Sequence, residues 1–184
     1  MSRIAIPARD AVPAASQPLL DAVEKSLGSV PNLFRLIALS PLALEAYLSQ
    51  NAALARTLNV KTRERIALAV AQVNGCDYCL SAHSYLGLNL ARLDEEEIAL
   101  NRNGQSNDPK AQAAVSFANK VARERGRVTT SDVTALHDAG YDDAQIIEIV
   151  ALVAENVFTN FLNNVAQTDI DFPAVSASEL PAMA

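Results

Sequence analysis

The chain holds two cysteines and two histidines, and three of these four residues sit together in N-G-C-D-Y-C-L-S-A-H as Cys76, Cys79 and His83. A Cys-x-x-Cys pair with a histidine four residues on is a compact set of redox-capable groups. Asn74-Gly75 ahead of it is a helix-breaking pair. The residues after Cys76 contain no proline and mix apolar with polar positions, which predicts that a new helix starts there. At about 100° per residue the two sulfurs and the imidazole share an arc of roughly 60° on its first two turns. The first turn of a helix leaves backbone N–H groups unpaired and carries a partial positive charge, so it stabilises a thiolate, the reactive form of cysteine. His83 is one turn beyond Cys79 and can take its proton directly or through one water. A sulfenic acid formed on Cys79 by a peroxide can then condense with the Cys76 thiol to give a disulfide and water. The spacing predicts a dithiol that reduces hydroperoxides.

The elements that must carry this set read as helices. No stretch shows sustained strand alternation, so the fold class is all-α, a single domain over 1–184 with an extended lead-in at 1–17 and a tail at 169–184. Helices are predicted from Pro18 to Leu27, from Asn32 (as cap) through Leu39, from Pro41 to about Arg56, and from Thr62 (as cap) to Val73. Beyond the cysteines they run from a capping box of Asp94 and Glu97 to Arg102, from Pro109 to near Gly126, from Thr130 to Gly140, and from Asp143, capped by Asp142 with Gln145, to about Gln167. The helix to Val73 is almost wholly apolar after Arg65, and the last is nearly all apolar at its centre, I-I-E-I-V-A-L-V-A at 146–154, so both read as central helices. Their patterns superpose at an offset of 80 residues, suggesting an internal two-fold repeat in which Asn156 stands where Cys76 does. The tail is expected either to fray or to strap across a neighbouring subunit.

Half of the 184 residues are apolar, enough for a sizeable core, and the net charge of −6 argues against nucleic acid and anionic membrane surfaces as partners. No apolar run approaches the ~20 residues of a membrane span, and the first residues lack a signal-peptide core. A cytoplasmic protein is expected, in which a cysteine pair is catalytic or metal-binding rather than a structural staple. Two apolar helices and abundant alanine in a chain of this size predict a homo-oligomer.

The span from Glu64 to Gly87 resembles the AhpD-like alkylhydroperoxidase branch of the carboxymuconolactone decarboxylase superfamily. The shared pattern is glutamate, eleven residues, Cys-x-x-Cys, three residues, histidine, three residues, glycine, met here by Glu64, Cys76, Cys79, His83 and Gly87. V-P-N-L-F-R-L-I-A-L-S-P at 30–41, and the region from Asn156 to Pro173 that ends in D-I-D-F-P, are similar to the peroxidase-related members of that branch. The resemblance implies an all-helical bundle with a central C-x-x-C helix, assembly as trimers or hexamers, and thiol-dependent peroxide reduction without a cofactor. It also implies that Cys79 attacks, Cys76 resolves, Glu64 and His83 relay protons, and an external lipoyl-type or thioredoxin-type dithiol restores the pair. The founding alkylhydroperoxidases carry a second histidine just before the second cysteine. Here that position is Tyr78, which the helical wheel turns away from the thiols.

Other readings compete. Cys76, Cys79, His83 and His137 would make a Cys2His2 metal set, but ligands on one helical arc do not surround an ion, and His137 is expected at the last carbonyls of its own helix. Glu64 alternatively is a surface acid favoured by the helix dipole; it heads a line of Ala67, Leu68 and Ala71, and burial there would suit it to proton transfer. Arg63 and Arg65 read as solvated or as partners for a neighbouring subunit, Tyr78 and Tyr85 as packing residues, and Asn156, Asn160 and Asn163 as groups satisfying polar atoms between helices. The expected partners are a hydroperoxide, an external dithiol and further copies of the chain. The rival functions are a disulfide-exchange carrier or redox sensor with little peroxidase activity, and decarboxylase or lactone chemistry that leaves the dithiol unused.

Overall fold

The computed structural model describes residues 2–179, and among these the regular structure is all helical. Two 3₁₀ turns, Arg9–Ala11 and Ala14–Ser16, precede α1 (Gln17–Leu27), α2 (Asn32–Ile37), α3 (Pro41–Leu54), α4 (Val60–Val73), α5 (Asp77–Asn89), α6 (Glu95–Arg102), α7 (Pro109–Glu124), α8 (Thr130–Asp138) and α9 (Asp143–Ala166). The lead-in is thus not simply extended: it buries Val12 and Ser16, and the Ser16 hydroxyl donates to Ala38 O at 2.7 Å.

Local capping chemistry decides most boundaries. Ser40 caps α3 by accepting from the Ala43 N–H, and Asp142 and Gln145 form the reciprocal box that starts α9. Two of the predicted caps are placed differently and one predicted capping box is not closed. Asn59, not Thr62, caps α4, its Oδ1 accepting from the Thr62 N–H at 2.9 Å while Thr62 itself is buried. Asn32 is the first residue of α2 rather than its cap, and its N–H is taken by the Asp171 carboxylate at 2.8 Å. Asp94 caps α6, but Glu97 does not close a box, because its carboxylate is committed to Arg65.

The hub is α4. Ile66, Leu68, Ala69, Val70 and Ala71 are fully buried, with Leu68 and Ala71 in one hydrophobic cluster and Ile66 and Val70 in the other. A helix apolar on all sides is stable in water only when surrounded, and α5, α6, α7 and α9 pack around this one. The expectation of a second such helix fails for α9. Its Ile147, Val150, Phe158, Phe161 and Val165 are exposed, while Glu155, Asn156, Thr159, Asn160 and Asn163 lie on its buried side. By length and composition α9 could cross a membrane, but its polar face packs onto α4 and α5. The proposed repeat also stops at the pattern of apolar residues, since α9 runs unbroken where the other copy breaks at Gly75.

That break positions the thiols. Gly75 takes a left-handed conformation (φ 60°) that a side chain would strain, and the Cys76 N–H returns to Ala71 O at 3.0 Å, closing α4 and redirecting the chain into α5. Gly87, by contrast, lies inside α5 and does not end it. The tail, through residue 179, is a strap over this chain's own α5. Asp171 accepts from the Tyr78 hydroxyl at 2.9 Å, the Val175 N–H donates to Ser81 Oγ at 2.9 Å and the Ala177 N–H to Asp77 Oδ1 at 2.7 Å. Phe172 packs on the rings of both Tyr78 and Tyr85.

Candidate active site

Cys76 has extended backbone angles (φ −99°, ψ 95°) and is the N-cap of α5; its Sγ accepts the Cys79 N–H at 3.2 Å, occupying one of the donors the first turn leaves unpaired. Cys79 follows in the first turn and His83 one turn later. From the neighbouring α4, Glu64 Oε2 lies 2.8 Å from His83 Nδ1. This contact fixes the ring and leaves Nε2 as the nitrogen free to exchange a proton with the thiol. The structure therefore gathers all four residues singled out in the sequence. The sulfurs are buried, at 0% and 3% exposure, and the side chains of Glu64 and His83, at 13% and 23%, form the more open side of the site.

Three residues of this neighbourhood were not singled out as chemical groups. Asn163, from α9, donates through Nδ2 to Cys79 Sγ at 3.3 Å, and its Oδ1 has no partner, so the sulfur is what orients the amide. Glu155, also from α9, is buried, and Tyr47 from α3 is half-buried with its phenol pushed up by burial and by the charges of Glu155, Cys79 and Glu64. One signal pointed to Asn163: the 80-residue offset that sets Asn156 over Cys76 also sets Asn163 over His83. Asn160 bridges elements as expected, accepting from Asn74 Nδ2 at 2.9 Å, whereas Asn156 donates to Leu152 O at 2.8 Å within α9 itself. Tyr78 turns from the thiols, its hydroxyl shared between the Leu33 N–H and Asp171.

These surroundings separate the two thiols. Burial alone would raise the Cys79 pKa; the hydrogen bond with Cys76, the charge of His83 and the amides of Asn163 and Asn160 outweigh it and bring it down from 9.0 to about 7. Cys76 is driven the other way, by its hydrogen bond to Cys79, by burial and by the Cys79 charge. The Cys79 N–H on Cys76 Sγ favours a Cys76 thiolate, but a sulfur sealed from water beside Asp77 and a second thiolate stays protonated. Burial works against the His83 imidazolium, but the charge and hydrogen bond of Glu64, with help from Cys79 and Glu155, raise its pKa overall. The arrangement holds a thiolate, a proton donor beside it and a second thiol within reach. Asn163→Ala is expected to raise the midpoint of Cys79 thiolate formation by about one unit, the equivalent of one hydrogen bond to a charged group. Thiolate absorbance against pH measures it, and an unmoved midpoint would refute the role given to this amide.

Arg65 is not solvated. It is buried and its Nε donates to Glu97 Oε1 at 2.7 Å within the same chain, while Arg63 bonds the carbonyls of Ala55 and Leu58. His137, instead of meeting helix carbonyls, pairs through Nε2 with Asp143 at 2.9 Å on an exposed corner. Among the described residues no group of three or more His, Cys, Asp or Glu side chains is arranged to hold a metal ion.

Compared with known proteins, residues 41–124 match the carboxymuconolactone decarboxylase family. No curated protein matches the chain. Among solved structures, the chain is similar to the alkylhydroperoxidase AhpD core of a peroxidase-related protein from Ralstonia eutropha JMP134, with TM-score 0.81 and 24% identity over 92% of each chain. It is also similar to a peroxidase-related protein from Silicibacter sp. TM1040, with TM-score 0.80 and 24% identity over 91% of each. The debrominase Bmp8 shares the fold at TM-score 0.75 and 19% identity, over 92% of this chain and 91% of that one.

Proposed function

We propose that this AhpD-like chain of the carboxymuconolactone decarboxylase superfamily reduces hydroperoxides through a Cys76–Cys79 dithiol–disulfide cycle. The observation that carries the reading is the lowering of Cys79 to about 7 beside an imidazole held by Glu64 at 2.8 Å. The Cys79 thiolate attacks the terminal peroxide oxygen, the O–O bond breaks, and the departing alkoxide takes a proton from His83, leaving Cys79 as a sulfenic acid. The Cys76 sulfur then attacks the Cys79 sulfur, the S–O bond breaks, and the hydroxyl leaves as water with the Cys76 proton. An external dithiol returns both sulfurs to thiols. Sulfurs this deeply buried favour a slender dithiol, such as a lipoyl-type arm, over the disulfide of a bulky folded partner, and this burial weighs against the carrier reading.

The exposed apolar face of α9, Ile147, Val150, Phe158, Phe161 and Val165, supports self-association, as expected of a homo-oligomer. Mass spectrometry tests both proposals. After substoichiometric peroxide, the denatured chain should lose its two thiol hydrogens, with a Cys76–Cys79 peptide link; under native conditions the mass should be that of an oligomer. Unchanged thiols would remove the redox cycle, and a monomer mass would remove the assembly.

A second reading draws on the fold shared with Bmp8, a debrominase. The same dithiol could pass two electrons to a carbon–halogen bond instead of an O–O bond. Disulfide formation with 2,3,4-tribromopyrrole, the compound bound in a structure of a Bmp8 variant, but not with any hydroperoxide would favour it.

A further inference from the structure

Glu155 lies on α9 two turns before Asn163, on the face that also carries Thr159, and all three are buried. At 7% exposure its Oε1 accepts no hydrogen bond, and it forms no ion pair within 4 Å among the described residues. A buried carboxyl oxygen without a partner is costly and rare. Nothing in the packing of α9 accounts for it, since Leu152 and Val153 beside it are ordinary core residues. Flanking contacts show what it faces. One turn before it, Gln50 of α3 donates to Ala151 O at 3.4 Å; almost one turn after it, Phe158 meets the Tyr47 ring at 6.0 Å. The polar and charged groups that act on it are Asn51 from α3, Arg63 from α4 and His83 from α5, and its own charge bears on Tyr47 of α3; Glu64 and Cys79 join it in acting on His83.

We infer that Glu155 is a positioning residue of the dithiol site, a second carboxyl group that acts on the His83 imidazole from α9 while Glu64 holds it from α4. Its effect is electrostatic. Burial raises the Glu155 pKa against the smaller opposing pull of Asn51, His83 and Arg63, so the group stays neutral further up the pH scale than an ordinary glutamate. Once ionised, it holds the His83 proton more tightly. The imidazolium that accompanies the Cys79 thiolate, and that protonates the departing alkoxide, therefore survives to higher pH. Arg63 offsets part of this charge from a distance without pairing with it, because its guanidinium donors go to the Ala55 and Leu58 carbonyls. The use made of that proton rests on the peroxidase reading; the effect on His83 does not.

The test is a pH titration of the histidine ring signals by NMR in the full chain. There are two histidines, and His137, paired with Asp143 at the surface, serves as an internal reference. In Glu155→Gln the His83 midpoint should fall by about one unit with His137 unmoved, and the alkaline limb of peroxide consumption should move down with it. Glu155→Leu, which removes the orphaned oxygen altogether, keeps the question answerable should the amide disturb folding; it should lower His83 likewise and unfold no more easily than the parent. A His83 midpoint that stays or rises in either variant, or a shift shared equally by His137, overturns the inference. A lowered His83 in a protein that consumes no peroxide would sink the peroxidase reading and leave this one standing.

Discussion

Cys79→Ser is expected to lower peroxide consumption by about a thousand-fold or more, the scale of losing a nucleophile for which the site holds no substitute. A serine hydroxyl is close in size to the thiol and can accept from the Asn163 amide that now lies 3.3 Å from Sγ, so the fold should tolerate it. What it cannot do is ionise near neutrality or accept an oxygen atom as a sulfenic acid. Cys76→Ser should differ in kind. It keeps the attacking thiolate and loses only the second sulfur, so one equivalent of peroxide is consumed and a sulfenic acid on Cys79 persists for a dimedone-type probe to trap. In the wild type the rate should climb as pH rises through about 7, the region where Cys79 gives up its proton. Stopped-flow peroxide consumption reads all three. Wild-type rates in Cys79→Ser would end the mechanism.

The second large effect is on stability. Glu97→Ala is expected to destabilise the fold by about 3–5 kcal/mol, the cost of leaving one member of a buried ion pair alone. Glu97 is 4% exposed; its carboxylate accepts from Arg65 Nε at 2.7 Å, Asn101 Nδ2 at 3.0 Å and the Asn107 N–H at 2.8 Å, and also from the Ser106 hydroxyl. Removing it leaves the buried Arg65 with only the more exposed Asp108, 3.6 Å from its Nη1, as a charged partner, and frees the loop after α6. Burial alone would raise the Glu97 pKa, but the donors of Ser106, Asn107 and Asn101 and the charge of Arg65 hold it below the usual range. A group depressed on folding contributes stability that is fully present above its unfolded pKa and lost as pH falls through the folded one. The gap between wild type and variant in urea midpoints should therefore be widest near neutral pH and close in acid. Replacing both partners with apolar residues, as in Arg65→Met with Glu97→Leu, should cost far less. A loss under about 1 kcal/mol, the range of an exposed pair, would show the network to be dispensable.

The sequence was most legible where causes are local. Cys76, Cys79 and His83 are neighbours along one helix, so their spacing shows their proximity, and Asp142 with Gln145 announces the start of α9 within four residues. Glu64 needed the family spacing as well, being on another helix. Legibility failed where a partner is far along the chain. Asn32 looks like a cap until Asp171, 139 residues later, takes its N–H. Arg65 looks solvated until Glu97, 32 residues on, meets it under α4. Asn163 looks like a polar filler until it is seen to reach Cys79 across 84 residues. The apolar run of α9 could not reveal that one side is bare in the single chain, because hydrophobic periodicity records which residues avoid water and not whose surface hides them.

The strap over α5 has a practical consequence. Asp171, Val175 and Ala177 each bind the helix whose first turn is capped by Cys76 Sγ. A recombinant form clipped after α9 is therefore not a neutral reagent for thiol measurements, since it lacks three bonds that hold the helix on which Cys79 rides and which Cys76 caps.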